Sequence, residues 1–163
     1  VIRPDKISGK LNDIAKKLAI KLSKSLKCVG LLAVEMFQCG DKILINEVAP
    51  RPHNSGHLTI EACKTSQFQQ HIRSIFDLKL GNTVHDGHAI MLNLVGDNNY
   101  SGKVLYENLD AVFEIKNANL HIYGKQETRP NRKMGHITII CDNFEEGYNN
   151  AKLLKSKIKV KST

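Results

Sequence analysis

The sequence predicts an α+β chain, and three patterns in it point that way. Leu11, Ile14, Ala15, Leu18, Leu22 and Leu26 recur at three- and four-residue steps, which puts them on one face of an amphipathic helix with lysines opposite. Leu31–Phe37 and Ile43–Ile45 are apolar runs flanking Gln38-Cys39-Gly40-Asp41, and glycine beside aspartate between two such runs signals a hairpin. Beyond residue 88 come short strand-like runs at 89–95, 118–123 and 136–141, then one further helix. A length of 163 residues suffices for one domain or two small ones. Leu78–Gly87, with Gly81, Asn82, Asp86 and Gly87 and little periodicity, reads as a crossing, so the division is placed at 1–80 and 81–163.

In chain order, Ser8, after Pro4, is the candidate cap of the first helix, and Gly30 closes that segment. Leu31–Phe37 reads as a buried strand, followed by the turn and the second strand. Leu58–Ala62 is helical, and Ser66 caps a helix from Gln67 to about Phe76 with Phe68, Ile72 and Ile75 or Phe76 on its buried side. His71 on that helix reads as a packed or capping histidine. Residues 96–99 form a turn, Leu105–Phe113 a short helix, and Asn143 caps a terminal helix running through Leu154 and Ile158. Residues 156–163 are expected to fray.

Composition narrows the function classes. Apolar content of 41% and charged content of 25% are ordinary for a soluble globular chain. No apolar run reaches the roughly 18 residues a membrane span needs, and no signal peptide opens the given sequence. Cys28, Cys39, Cys63 and Cys141 show no CxxC or zinc spacing. Cys28, Cys63 and Cys141 adjoin apolar residues and read as buried thiols of a reduced, cytoplasmic protein. The net charge of +8 gathers at Lys16, Lys17, Lys21, Lys24 and Lys27 and at Lys152, Lys155, Lys157, Lys159 and Lys161, both with helical spacing. That describes solvated helix faces, and without an aromatic-studded basic motif no nucleic-acid partner is expected.

The chemistry concentrates in Asn46-Glu47-Val48-Ala49-Pro50-Arg51-Pro52-His53-Asn54-Ser55-Gly56-His57. Pro50 and Pro52 fix φ, remove two donors and press Ala49 and Arg51 toward extended backbone, so the loop is stiff. If the hairpin loop holds an odd number of residues, Glu35 and Glu47 share a face of the sheet. Two carboxylates there repel unless a cation lies between them, and hard oxygen ligands suit Mg²⁺. The alternative is a pair of edge-strand charges in solvent. A second motif, Tyr123-Gly124-Lys125 followed by Arg129-Pro130-Asn131-Arg132-Lys133-Met134-Gly135-His136, clusters four cations between two strands. Such a loop suits a small anion, arginine by a fork of donors and lysine as a point charge, or is simply a solvated basic loop. Gly135 permits either a close backbone approach or a positive φ.

Gly30–Phe37, Ile45–His57, Thr65-Ser66-Gln67-Phe68 with His71, Met91–Gly96, Tyr123-Gly124-Lys125 and Arg132–His136 together resemble the C-terminal part of N5-carboxyaminoimidazole ribonucleotide synthase. This is the ATP-grasp ligase that is also fused into eukaryotic phosphoribosylaminoimidazole carboxylase. The resemblance covers nearly the whole chain. It implies the end of an ATP-grasp domain followed by a small, mostly-β C-terminal domain with a terminal helix. It implies ATP-dependent carboxylation of 5-aminoimidazole ribonucleotide by bicarbonate in purine biosynthesis, with ATP and Mg²⁺ as cofactors.

By position, the resemblance assigns Glu35 and Glu47 to the metal and Asn46 with Glu47 to the phosphates of ATP. It places Arg51 and His53 near the carboxyphosphate and the nucleotide amine as catalytic residues, and Asn54, Ser55 and Gly56 along that pocket. Lys125 and Arg132 fall to the ribonucleotide 5′-phosphate, with Lys133 beside them. Family members are more than twice this length, which implies that the N-terminal part of the same enzyme, a partner of this piece and a homodimer at full length, is missing here. A formate-dependent glycinamide ribonucleotide transformylase-like ATP-grasp fragment and a non-catalytic nucleotide-binding module are the alternatives.

Overall fold

The computed structural model describes residues 1–3, 8–84 and 87–163. Pro4 and Asp86, named above, lie outside the described residues. In chain order the elements are β1 (Ile2–Arg3), α1 (Gly9–Ser25), β2 (Ala33–Cys39), β3 (Lys42–Ala49), a 3₁₀ turn (Asn54–Gly56), α2 (Thr59–Ala62), α3 (Gln67–Ile75), β4 (His88–Val95), β5 (Gly102–Glu107), a second 3₁₀ turn (Leu109–Val112), β6 (Ala118–Ile122), β7 (Glu127–Thr128), β8 (Lys133–Cys141), α4 (Phe144–Lys157) and β9 (Lys159–Ser162). The mixture is α+β. Two compact units divide it, one of residues 8–84 and one of residues 87–163 together with β1. Residues 1–3 thus belong with the later part of the chain, where β1 pairs with β4.

In the first unit Ser8 caps α1 by accepting from the Leu11 amide. Of the apolar stripe only Leu11 is buried, and Leu26 is exposed. β2 and β3 form a two-stranded antiparallel sheet of their own. The expected buried strand is therefore half-buried to exposed, with Phe37 at 57%, because a lone hairpin covers neither of its faces. α3 carries a full capping box, Ser66 accepting from Gln69 and Gln69 answering to the Ser66 amide. Its faces reverse the expectation. Phe68, Ile72, Ile75 and Phe76 are exposed, and the buried residue of the helix is Gln67.

The second unit has the sheet order β1-β4-β8-β6, all antiparallel, and a smaller sheet β7-β5-β9. Ile90, Leu94, Val112, Met134, Ile137, Ile139, Leu154, Ile158 and Val160 form its core. α4, capped by Asn143 accepting from Glu146, packs on β4 and β8.

Two expectations fail in this unit. Residues 105–113 are not a helix: β5 runs to Glu107, where Val104 and Tyr106 pack against the core, and Asn108 turns the chain at φ 60 before the 3₁₀ turn. Alternation and a left-handed asparagine outweigh helix propensity there. Residues 156–163 do not fray. After α4, β9 pairs with β5 and buries Val160, so the helix is not the terminal element. Lys159 and Lys161 consequently lie on a strand, and Lys161 reaches Glu107 at 2.9 Å, a contact that raises its pKa. Cys28, Cys63 and Cys141 are half-buried rather than buried, and all four thiols are free.

Gly135, on the central strand β8, has an ordinary negative φ, so its role is close approach. A Cβ there would run into the His121 carbonyl oxygen of β6. Gly135→Ala must push β6 away from β8, and overpacking of this kind costs about 1–3 kcal/mol. Urea denaturation of the purified chain should show that loss, and an unchanged midpoint would refute the close-approach role.

Candidate functional site

The hairpin turn holds two residues, Gly40 and Asp41, with Gly40 at φ 57, as a tight hairpin turn with glycine in first place requires. The loop is even, not odd. From the turn outward the register runs Cys39↔Lys42, Gln38↔Ile43, Phe37↔Leu44 and Met36↔Ile45. Continued unbroken, it would set Glu35 against Asn46. A bulge between Glu35 and Met36 takes up Asn46 instead, and Glu35 pairs with Glu47. The one extra residue lies in the strand rather than in the loop, and it reverses the facing of everything beyond it.

His53 completes the cluster. Carboxylate oxygens of Glu35 and Glu47 and a ring nitrogen of His53 all lie within 4.8 Å of one another. His53 Nε2 is 3.4 Å from Glu35 Oε1, and its Nδ1 is 2.8 Å from Ser55 Oγ. Asn46 donates to Glu35 Oε2 at 3.4 Å. The set of two carboxylates fits a hard divalent cation, because an in-register pair of like charges needs a positive partner to be favourable.

The Arg51–His57 loop is fixed from beneath by Gln67. Its Oε1 accepts from the His53 amide at 2.9 Å and its Nε2 donates to the His53 carbonyl at 2.8 Å. Thr59 Oγ1 accepts from the Gln67 amide and donates to the Gly56 carbonyl. Gly56 is glycine for this reason: an added Cβ would lie 2.5 Å from Gln67 Oε1. In the sequence Gln67 stands out as a helix start and as part of the resembling stretch Thr65–Phe68, with no site role assigned to it. The readable signal was a glutamine directly after the Ser66 cap, where solvent exposure is the usual expectation. Arg51 is exposed and donates to its neighbour, the Pro52 carbonyl, at 3.1 Å. His71 accepts the Leu31 amide on Nδ1 at 3.0 Å, so of the two readings, packed or capping, it is a packed histidine that bonds the entry to β2 rather than a helix cap.

In the second unit two basic residues of the later motif are held on backbone. Lys125 Nζ donates to the Lys133 carbonyl at 2.6 Å, and Arg132 donates to the Glu127 carbonyl at 2.9 Å. The structure shows no direct pairing of Lys125 with Arg132, and the Lys133 side chain is exposed. Tyr123 OH lies 2.9 Å from His136 Nδ1, fixing the residue two before Lys125. Gly96 meets the same loop, accepting from Asn131 and donating to Arg132.

Two protein families match this chain, and both named and solved proteins are similar to it. The ATP-grasp domain family matches residues 1–68, and the phosphoribosylaminoimidazole carboxylase C-terminal domain family matches residues 89–149. N5-carboxyaminoimidazole ribonucleotide synthase of Bacillus subtilis is 46% identical over 140 residues, covering 85% of this chain and 35% of that protein. The crystal structure of the synthetase from Thermotoga maritima superposes with a TM-score of 0.93 at 46% identity, over 99% of this chain and 45% of that one. The synthase from Aspergillus clavatus, in complex with ADP and 5-aminoimidazole ribonucleotide, gives a TM-score of 0.82 at 35% identity, over 95% of this chain and 42% of that one. The chain therefore spans less than half the length of these relatives, and over that span it is similar to the N5-carboxyaminoimidazole ribonucleotide synthases, with an ATP-grasp match at 1–68 and a carboxylase C-terminal-domain match at 89–149.

Proposed function

We propose that this chain supplies part of the machinery of a ligase that carboxylates 5-aminoimidazole ribonucleotide with bicarbonate at the expense of ATP. The observation that carries the reading is the Glu35–Glu47 pair, brought face to face by the Asn46 bulge with His53 at its side. Its support is the likeness to the Bacillus, Thermotoga and Aspergillus proteins. Residues 1–80 are read as the end of the ATP-grasp domain and 81–163 as the C-terminal domain, with β1 joined to the latter. Among the described residues no helix is long and apolar enough to cross a membrane. A cytoplasmic enzyme, homodimeric at full length, is the setting this reading assumes.

In the proposed reaction a bicarbonate oxygen attacks the γ-phosphorus of ATP and ADP leaves. The nucleotide amine then takes the carboxyl carbon of the carboxyphosphate as phosphate departs. Phosphoryl transfer of this kind is accelerated by positioning and charge neutralisation more than by covalent chemistry. Mg²⁺, when bound by Glu35 and Glu47, supplies neutralisation of the ATP phosphates. Asn46 holds the Glu35 carboxylate. Arg51 and His53 serve the carboxyphosphate and the amine, and Asn54, Ser55 and Gly56 line their pocket. Lys125 and Arg132, with Lys133, serve the ribonucleotide 5′-phosphate.

The direct test is phosphate release from ATP that requires both bicarbonate and 5-aminoimidazole ribonucleotide, measured on a full-length enzyme carrying this sequence. Glu47→Gln there leaves Glu35 opposite an uncharged amide, and turnover should fall at least a hundredfold, since losing one charge-assisted contact costs about 1.5–3 kcal/mol and misplacement adds to it. Turnover unchanged by Glu47→Gln would end the metal assignment.

Arg132→Ala in the same enzyme should weaken ribonucleotide affinity roughly ten- to a hundredfold, from about 1.5–3 kcal/mol for a charge-assisted contact at 1.4 kcal/mol per decade. Calorimetric titration with the ribonucleotide reads this, and equal affinities would remove Arg132 from the phosphate site.

The 163-residue polypeptide alone should show only background phosphate release. Clamping ATP between two subdomains supplies positioning worth about 7–11 kcal/mol, or five or more orders of magnitude, and this chain spans less than half the length of its relatives. Stoichiometric turnover by the isolated chain would show that the clamp argument is wrong.

A further inference from the structure

We propose that Gln67 is the positioning residue of the Arg51–His57 loop and that it fixes His57 as the tautomer with its proton on Nε2. Gln67 is 5% exposed and points its amide at the loop. Its orientation is settled by His53: the backbone N–H there needs an acceptor and the backbone carbonyl needs a donor, at 2.9 and 2.8 Å. A flipped amide would set donor against donor and acceptor against acceptor. With Nε2 so placed, its second proton faces His57 Nδ1 at 2.8 Å. An amide nitrogen only donates, so Nδ1 must accept and cannot carry a proton. The His57 ring is stacked on Phe68, with centroids 5.4 Å apart and planes 20° apart, which holds it in this plane.

A consequence follows for the reaction, and it rests on the function proposed above. His57 offers a donor on Nε2 and has no free lone pair. His53 is anchored in the same sense, its Nδ1 accepting from the Ser55 amide and its Nε2 facing the Glu35 carboxylate, so both imidazoles of this loop are held as the Nε2–H tautomer. Gln67 itself touches no reacting atom and acts through the placement of His53 and the tautomer of His57.

Long-range ¹H–¹⁵N correlation spectra of the isolated chain read the tautomer directly, with neither ATP nor nucleotide present. His57 should show an unprotonated Nδ1 and a protonated Nε2, and a protonated Nδ1 in the wild-type chain overturns the proposal. Gln67→Glu replaces the donor by a carboxylate, so His57 Nδ1 should become protonated while thermal melting shows a folded chain. An unchanged His57 signal in the folded variant also overturns it. Should Gln67→Glu not fold, Gly56→Ala displaces the same amide from within the loop, and His57 should then lose its single tautomer.

In a full-length enzyme carrying this sequence, Gln67→Glu should lower kcat roughly ten- to a hundredfold, the scale of a small misplacement. The KM for ATP should stay within about twofold, the signature of an interaction used after binding. Equal loss in both would make Gln67 a merely structural residue. A chain that shows the His57 tautomer but supports no carboxylation at full length would count against the proposed function and leave the Gln67 assignment standing.

Discussion

The first unit depends on the polar side of α3. Gln67, Gln70 and His71 stand at positions i, i+3 and i+4, so they share one face of the helix. Each ends on the backbone of a different segment. Gln67 takes both groups of His53, Gln70 takes both groups of Gly81, and His71 takes the Leu31 amide at the entry to β2. At two of these points a glycine makes room: a Cβ on Gly30 would lie 2.9 Å from the His71 ring, and one on Gly56 would meet Gln67. Directional hydrogen bonds, rather than apolar contact, fix where the functional loop stands.

What the anchored loop faces is set by parity. A two-residue turn alone would leave Glu35 and Glu47 on opposite sides of the sheet. One bulged residue corrects the phase. Asn46 is well chosen for that place, since its side chain reaches back to Glu35 and partly compensates the carboxylate. Deleting Asn46 would restore a regular ladder and separate the two acids, which is why a more regular hairpin would be a less useful one.

Local chemistry was legible in the sequence and tertiary choice was not. Ser8, Ser66 and Asn143 were readable as caps because a cap needs only its own side chain and an amide two or three residues on. The strand cores at 89–95 and 136–141 and the family of the candidate site were readable for a similar reason, as apolar runs and contiguous motifs, whereas Lys133–Gly135, expected between strands, belong to β8. The failures share a cause in partners distant in sequence. Residues 105–107 belong to a strand because β9 lies beside them, and β9, at the end of the chain, is ordered only because β5 pairs with it. The apolar spacing of α3 indicated a buried stripe, whereas the groups that bind within this unit are its polar ones. The bulge at Asn46 left no compositional mark at all.

The proline loop explains why so much polar machinery serves a single residue. Pro50 and Pro52 have no N–H, and the Arg51 amide closes on the Ala49 carbonyl two residues back. Between β3 and the 3₁₀ turn the first amide free to bond with the rest of the unit is that of His53. Stiff φ angles transmit whatever constraint is applied there along the whole loop. Gripping His53 on both its amide and its carbonyl therefore fixes Arg51 on one side and Ser55 on the other without a contact to either. An apolar anchor of equal strength would hold the loop down without fixing its rotation, and the approach of His53 Nε2 to Glu35 depends on rotation.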